Sequence, residues 1–339
     1  MIKSLQGLRT LSMIGIFLFH AGLLINGTFP VIFFFILSGF VLYWSYSSSV
    51  IEVNISKIIS WVKNRMKKMY PIHVITFVMS IFIRYDWIMK LSKIEIIINT
   101  VLNLSLLQTL VPKYAYSFNG LSWFLSVTMI LYVLALPLIY LINKIKLVKV
   151  QYIIIILLLK YLISLINNYY NLVLDLYTSP FYRILDFILG MLIANMLINN
   201  KEYDNKKNTR YTVYEIIIFV SFFIIYISTF FIKVEGTAYS IIFTILIYVV
   251  AQEKGSISKL LKSSILQKLA SISFEFYMVH ELILIAFRRV FEGLNFYWVI
   301  NNFIVSIPAF IISLCIAKLL NKYITNKKLN KNVFVINIE

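Results

Sequence analysis

Apolar segments of about 17 to 24 residues recur along the whole chain of 339 residues, separated by short polar connections. A helix needs about 20 predominantly apolar residues to cross the hydrocarbon core of a bilayer, so each segment is long enough for one crossing. Hydrophobic residues make up 60% of the chain and the mean hydropathy is +0.86, well above the composition of soluble domains. The sequence therefore predicts an all-α, polytopic membrane protein, with one membrane domain over 1–322 and a cytoplasmic tail over 323–339.

Ten segments have the length and composition of membrane spans. They lie at about 8–26, 29–47, 71–88, 121–143, 150–167, 181–199, 213–232, 236–252, 270–289 and 297–320. With ten crossings, 21 lysines and arginines fall on the side of the N-terminus and 7 on the opposite side. Positive residues accumulate in cytoplasmic loops, so we expect both termini to be cytoplasmic. An eleventh span at 94–111 would reverse this asymmetry, and we expect that segment to be an outer interfacial or re-entrant helix.

Composition excludes several classes of function. The net charge of +18 could suggest a nucleic-acid partner, but the basic residues are distributed among short loops between spans, which is typical of membrane proteins. The chain has one cysteine, Cys315, so no intrachain disulfide can form. Its three histidines lack neighbours with metal-ligand spacing, and no glycine-rich phosphate loop is present. We therefore expect neither a bound metal nor a nucleic-acid partner.

Ionisable residues inside the predicted spans are candidates for function, since a charge near the middle of a bilayer costs about 2.5–3.5 kcal/mol on insertion scales. The candidates are Arg9, His20, Lys160, Arg183, Asp186, Glu275, His280 and Glu281, with His73 and Arg84 near span ends. Arg9 and His20 share one face of the first helix, about 16 Å apart along its axis. An arginine can reach the membrane surface with its long side chain, whereas a histidine cannot and must face a partner, water or a cavity.

Some of these residues also have purely structural interpretations. Arg183 and Asp186 are three residues apart and could pair on their own helix, while Lys160 could pair or extend toward the surface. His73 follows a proline at a predicted span entrance, where a solvated ring is expected. The basic segment 63–71, KNRMKKMYP, is interpreted as a loop that could bind lipid headgroups or a phosphate-rich ligand.

Six motifs in order along the chain resemble the acyltransferase type-3 family of integral membrane O-acyltransferases. LQGLRTLSMIGIFLFH resembles its opening Arg-x10-His, and IFFFILSGFVL resembles its second-span signature. The other four are RMKKMYP, LSWFLSVTMILYVLALP, RILDFILGMLIA and ISFEFYMVHE. Two positions depart from the family pattern: Lys68 replaces an arginine, and Thr128 stands where a glutamate is common.

The resemblance implies an enzyme of bacterial origin in the plasma membrane. Its reaction would move an acetyl or other short acyl group from cytoplasmic acyl-CoA, with acetyl-CoA expected, to a hydroxyl of an extracytoplasmic polysaccharide. His20 would act as general base or accept the acyl group transiently. Arg9, Arg65 and Lys68 would hold the phosphates of the donor. The supporting or alternative catalytic residues are His280, Arg183, Glu275 and Trp123.

Two other classes of function remain open from the sequence. A secondary transporter or flippase would have a similar number of spans, but transporters usually contain broken helices. The prolines at 30, 71, 137, 180 and 308 are predicted to lie near span ends, which argues against that class. A non-catalytic partner in glycan assembly would not need the Arg-x10-His spacing.

Overall fold

A computed structural model describes residues 2–48, 53–145, 150–170, 175–200, 208–232, 236–291 and 298–325. Within them, all regular elements are helices. The α-helices are α1 (Lys3–His20), α2 (Thr28–Tyr46), α3 (Ile55–Ile83), α4 (Tyr85–Ile88), α5 (Lys93–Leu104), α6 (Ser122–Ile145), α7 (Val150–Tyr169), α8 (Pro180–Asn199), α9 (Asn208–Ser228), α10 (Gly236–Val250), α11 (Ser256–Leu261), α12 (Ser264–Ser271), α13 (Ser273–Val290) and α14 (Trp298–Leu320).

Ten of these helices coincide with the ten predicted spans: α1, α2, α3, α6, α7, α8, α9, α10, α13 and α14. Seven helices in the described part of the chain are long and apolar enough to cross a membrane. The pair α12 and α13, bent by 69° where they meet, could add an eighth. The more polar α1 and the 15-residue α10 occupy the remaining two predicted spans. The all-α, polytopic fold is confirmed, whereas residues 326–339 of the predicted tail lie outside the described part.

The prediction of a loop at 63–71 is wrong. The segment lies inside α3, which begins after Asn54, whose side-chain oxygen accepts a hydrogen bond from the Lys57 amide at 2.8 Å. Pro71 lies inside this helix, as Pro137 lies inside α6 and Pro308 inside α14. Membrane helices tolerate such prolines because neighbouring groups satisfy the freed backbone carbonyls. The prolines therefore no longer argue against a transporter.

The segment predicted not to span the membrane is the short helix α5 followed by two 3-10 turns. Its 12 residues cover about 18 Å, less than the hydrocarbon core. Three of the polar side chains that interrupt it, those of Asn99, Asn103 and Gln108, are buried. Asn103 donates to the Ser117 hydroxyl at 2.7 Å. The Asn103 carbonyl contacts the Nε2 atom of His73 at 2.9 Å. His73 is fully buried, so the prediction of a solvated ring is wrong.

Helices α2 and α8 cross at the centre of the fold with their backbones in contact. A Cβ atom at Gly39 would collide with the carbonyl oxygen of Phe187, and one at Gly190 with that of Ile36. Glycines allow such close packing of membrane helices, where van der Waals contact replaces the hydrophobic effect as the main attraction. The largest apolar core surrounds this crossing and includes residues of α6 and α10.

A buried cluster of charges joins α7, α8 and α10. The Asp186 carboxylate pairs with the Lys160 ammonium group and with the Arg183 guanidinium, the latter at 3.1 Å. The Ser240 hydroxyl lies 2.7 Å from the Lys160 nitrogen and 2.8 Å from the carboxylate. Arg183 and Asp186 do pair on their own helix, as the spacing suggested. The cluster fixes α7, whose surface is otherwise largely exposed, to the centre of the fold.

Polar contacts connect the helix ends in two groups. Each group contains only segments that the lysine and arginine count places on the same side of the membrane. One group pairs Gln267 with Lys3, Ser4 with Glu253, and Asn143 with Ser47; the other pairs Arg289 with Asp86, Arg288 with His20, and Ile25 with Tyr226.

Candidate functional site

A cavity of about 440 Å³ lies at the C-terminal end of α1, and we call it the histidine cavity after His20 in its wall. Arg84, at the C-terminal end of α3, and Glu281, in α13, contribute charged groups to its wall. The aromatic part of the wall consists of Phe19, Tyr116, Trp123, Tyr177 and Tyr277. Apolar and aromatic walls with a few polar groups are typical of ligand-binding cavities.

His20 is paired with His280 of α13, 260 positions along the chain, and their Nδ1 and Nε2 atoms are 3.1 Å apart. The Nδ1 atom of His280 lies 2.8 Å from the carbonyl oxygen of Tyr277 and 3.2 Å from that of Phe276. Because carbonyl oxygens only accept hydrogen bonds, Nδ1 of His280 carries the proton, and Nε2 of the neutral ring is an acceptor.

This contact determines the tautomer of His20. Its Nδ1 atom faces two acceptors, His280 Nε2 and the Ile16 carbonyl oxygen at 3.0 Å, and must therefore carry a proton. In the neutral ring, Nε2 of His20 is left with a free lone pair. A nitrogen in this state can take a proton from a hydroxyl group or attack an acyl carbon.

A second cavity, of about 230 Å³, lies nearer the N-terminal end of α1, and we call it the arginine cavity after Arg9 and Arg65 in its wall. Polar groups of Gln6, Ser38 and Thr128 are also part of this wall. The structure thus places the two arginines of the Arg-x10-His and RMKKMYP motifs together, although 56 positions separate them in the sequence.

The two arginines are held in different ways. The Arg65 guanidinium lies 4.9 Å from the ring of Trp61 and 5.2 Å from that of Tyr46, an arrangement that stabilises a cation without neutralising it. The Nε–H group of Arg9 is buried and has no hydrogen-bond partner among the described residues. Both cations therefore keep the capacity to bind an anion.

Tyr277 of α13 is part of the wall of both cavities. Its hydroxyl donates to the Leu121 carbonyl oxygen at 3.1 Å, and its ring lies 5.5 Å from that of Phe124. Phe124 in turn packs against Phe34, with ring centroids 6.2 Å apart. Aromatic side chains therefore separate the arginine cavity from the histidine cavity, and at Tyr277 a single residue lies between them.

Of the four remaining predicted site residues, one lies in the wall of a cavity and three do not. Lys68 is exposed on α3 and is not part of either wall, so the structure does not bring it to Arg9 and Arg65. Trp123 is 3% exposed and forms part of the histidine cavity. Arg183 lies behind that wall, where its Nε donates to the Tyr177 carbonyl oxygen at 2.9 Å. Glu275 is buried, is not part of either wall, and accepts a hydrogen bond from Asn321 at 3.0 Å.

The two positions that depart from the family motifs, Thr128 and Lys68, differ in their surroundings. Thr128, in the position of the frequent glutamate, lines the arginine cavity and donates to the Phe124 carbonyl oxygen at 2.7 Å. The wall therefore contains two arginines and no carboxylate at this position. Lys68 is too exposed to compensate for the missing arginine from inside the cavity.

Trp123 is the one aromatic residue of this wall that the sequence pointed to, whereas Tyr116 and Tyr177 were not foreseen. Tyr116 and Tyr177 lie outside the predicted spans, and tyrosines there are common at membrane interfaces for other reasons. One local signal exists in the structure but not in the sequence: Phe118 has a φ of 57°, a left-handed conformation that is rare for a bulky residue. This turn lies between Tyr116 and Gly120, both of which line the cavity.

The two tyrosines stay protonated over the physiological pH range. Burial, followed by the nearby Asp175 carboxylate, raises the pKa of Tyr116 well above its usual range. Burial also raises the pKa of Tyr177 to about 12. The Tyr116 hydroxyl donates to Asp175 at 3.3 Å. These two tyrosines therefore add no charge to the cavity. Its charged groups are those of Arg84 and Glu281.

Comparison with known proteins gives one match. A family model described as an acyltransferase domain matches residues 2–322, nearly the whole chain. No curated protein and no solved structure has significant similarity to it. Among the described residues, no group of three or more His, Cys, Asp and Glu side chains is placed to hold a metal ion.

Proposed function

The chain belongs to the acyltransferase domain family, and from that membership we propose that it transfers an acetyl group from acetyl-CoA to a hydroxyl of a cell-surface glycan. The observation that supports this most is the arrangement of two cavities separated by one aromatic layer. One contains two cations suited to a polyanionic donor, and the other contains an imidazole with a free lone pair. A transporter would not require that pairing.

In the proposed reaction, Nε2 of His20 removes the proton from the acceptor hydroxyl as its oxygen attacks the thioester carbonyl carbon. The carbon–sulfur bond breaks, and the CoA thiolate leaves with the proton that the imidazolium returns. In the alternative route, Nε2 itself attacks the carbonyl carbon, and the carbon–sulfur bond breaks to release the CoA thiolate. The acceptor oxygen then attacks the acyl carbon, the carbon–nitrogen bond breaks to free the ring, and the hydroxyl proton passes to the released thiolate. Both routes use the same nitrogen and require the same tautomer.

The function is tested with purified protein in detergent, radiolabelled acetyl-CoA, and envelope polysaccharide from the source cell after mild alkaline de-O-acetylation. Label should appear in the polysaccharide as an alkali-labile ester. The natural protein should also restore O-acetyl groups to the surface glycan of cells that lack the gene. Translocation of a glycan without transfer of label would support a flippase instead.

Arg9 and Arg65 are proposed to bind the phosphates of the donor. Arg9→Gln and Arg65→Gln should each raise the apparent KM for acetyl-CoA by about 10- to 100-fold, because a hydrogen bond to a charged group contributes about 1.5–3 kcal/mol. Lys67→Gln is the matched control, since Lys67 is an exposed cation on the same helix as Arg65. Unchanged donor KM values in both arginine variants would show that these residues serve another purpose, such as anchoring α1 and α3 among lipid headgroups. Lys68→Gln should raise the KM for acetyl-CoA less than either arginine variant, because Lys68 is exposed and outside the cavity.

We also propose that the N-terminal end of α1 faces the cytoplasm, which places the arginine cavity on the side where acyl-CoA is made. The charge asymmetry supports this orientation. Cysteines introduced at positions 205 and 328 in a Cys315→Ser background should be protected from a membrane-impermeant maleimide in intact cells and labelled after permeabilisation. Labelling of both positions in intact cells would reverse the orientation.

A further inference from the structure

One carboxylate oxygen of Glu281 finds no hydrogen-bond donor in the part of the chain that the structure describes. Its Oε1 atom lies 3.3 Å from the Arg84 guanidinium, whereas Oε2 is buried and has no hydrogen-bond partner among the described residues. A buried carboxylate oxygen without a donor is costly, and such an atom in the wall of a cavity is suited to accept a hydrogen bond from a ligand. The same cavity contains His20.

The space in front of this carboxylate is kept open by Gly120. A Cβ atom at that position would lie 3.1 Å from Glu281 Oε2 and 3.2 Å from an Arg84 nitrogen. Any side chain there would therefore lie against both charged groups. The chain thus presents a carboxylate and a guanidinium side by side in the cavity wall, with only a glycine packed against them at position 120.

Another part of the wall is aromatic. The rings of Trp123 and Tyr177 are 4.8 Å apart, and Tyr116 packs against Trp123 at 6.5 Å. A sugar ring has apolar C–H faces that pack on aromatic side chains and a rim of hydroxyls that donate to carboxylates and accept from guanidinium groups. The cavity combines surfaces for both.

We propose that Glu281 and Arg84 bind neighbouring hydroxyls of the acceptor sugar, with Glu281 Oε2 accepting a hydrogen bond from one of them, and thereby hold another hydroxyl at His20. This inference rests on the proposed function and assigns its acceptor subsite. Glu281 is a positioning residue here: it fixes the acceptor, and the proton of the reacting hydroxyl goes to the imidazole. Arg183 contributes indirectly, because it holds the backbone of Tyr177 in the aromatic wall.

The test uses the transfer assay in detergent, with acetyl-CoA as donor and de-O-acetylated envelope polysaccharide as acceptor, each varied separately. Glu281→Gln should raise the half-saturating polysaccharide concentration at least 10-fold, and leave that for acetyl-CoA unchanged. Gly120→Ala should act in the same direction through a different residue, since its methyl group occupies the space in front of the carboxylate. Asp86→Asn is the matched control, because Asp86 is also paired with an arginine but is 71% exposed and outside the cavity.

The outcomes separate this inference from the function on which it rests. If the natural protein transfers no label to the polysaccharide, the proposed function fails. If it transfers label and both Glu281→Gln and Gly120→Ala keep the natural half-saturation for polysaccharide, the acceptor subsite is wrong while the function stands. An equal rise for donor and acceptor would indicate a distorted fold and would also overturn the assignment.

Discussion

Alanine in place of His20 should give a protein that inserts and folds normally, binds acetyl-CoA, and transfers almost no acyl group. The imidazole is half-buried at the end of α1 and lines the histidine cavity, so its removal leaves the helix packing intact. General-base assistance alone contributes about 10²–10⁴ in rate, and loss of an acyl acceptor would cost at least as much. The measurement is the initial rate of label transfer at equal amounts of folded protein, with donor binding measured separately.

His280 provides the comparison that decides the assignment. Since it sets the tautomer of His20 through the 3.1 Å contact, His280→Ala should lower the rate strongly but less than His20→Ala. His280→Gln should recover part of the loss, because its side-chain oxygen can accept the proton of His20 Nδ1. Near-normal transfer by His20→Ala together with an inactive His280→Ala would move the reacting nitrogen to α13 and refute the proposed mechanism.

Asp186→Asn should greatly reduce the amount of folded protein. The substitution keeps the shape of the side chain and removes the only negative charge that faces the buried Lys160 and Arg183 among the described residues. Breaking a buried ion pair from one side costs about 3–5 kcal/mol, because the remaining charge is buried without compensation. The measurement is the thermal unfolding temperature in detergent, together with the yield from membranes.

Asp86→Asn is again the matched control for this prediction. Asp86 and Arg289 are 3.0 Å apart, close to the 3.1 Å of Asp186 and Arg183, but both are at least 45% exposed. Exposed pairs contribute about 0–1 kcal/mol, so this variant should be nearly as stable as the natural protein. Equal stability of the two variants would mean that the buried cluster does not hold α7 in place.

The fold could be predicted from the sequence wherever one local property decides the structure. Hydropathy located the ten long helices, and the distribution of lysines and arginines identified 94–111 as a segment that does not cross. Local patterns failed where a helix continues through polar residues: the lysines before Pro71 resemble a loop, but exposed cations on α3 are compatible with a helix that extends beyond the membrane. The burial of His73 could not be foreseen either, since it depends on the backbone of α5, which docks from a distant part of the chain.

The site could be predicted only in part, because many of its contacts join residues that are far apart in the sequence. His20, Arg9 and Arg65 stand out because charged and titratable groups are rare among apolar residues. Their partners are ordinary residue types whose importance comes from tertiary contact, as with Tyr177 and Gly120 in the histidine cavity. The tautomer of His20 depends on a residue 260 positions away, and no spacing rule connects the two. Lys68 shows the opposite error: it was assigned to donor binding from its position in a motif, but it is exposed and lies outside the cavity.

Helix α13 contributes residues to both cavities and to the layer between them. Ser273 and Phe274 line the arginine cavity, Tyr277 lies between the cavities, and His280 and Glu281 serve the histidine cavity. The eight residue steps from Ser273 to Glu281 cover about 12 Å along the helix axis. One inserted or deleted residue would rotate the side chains beyond it by about 100° around that axis. The segment 273–281 therefore has a fixed length as well as a fixed composition. Among natural variants of this chain, gaps in this stretch should be absent from any variant that still carries out the reaction.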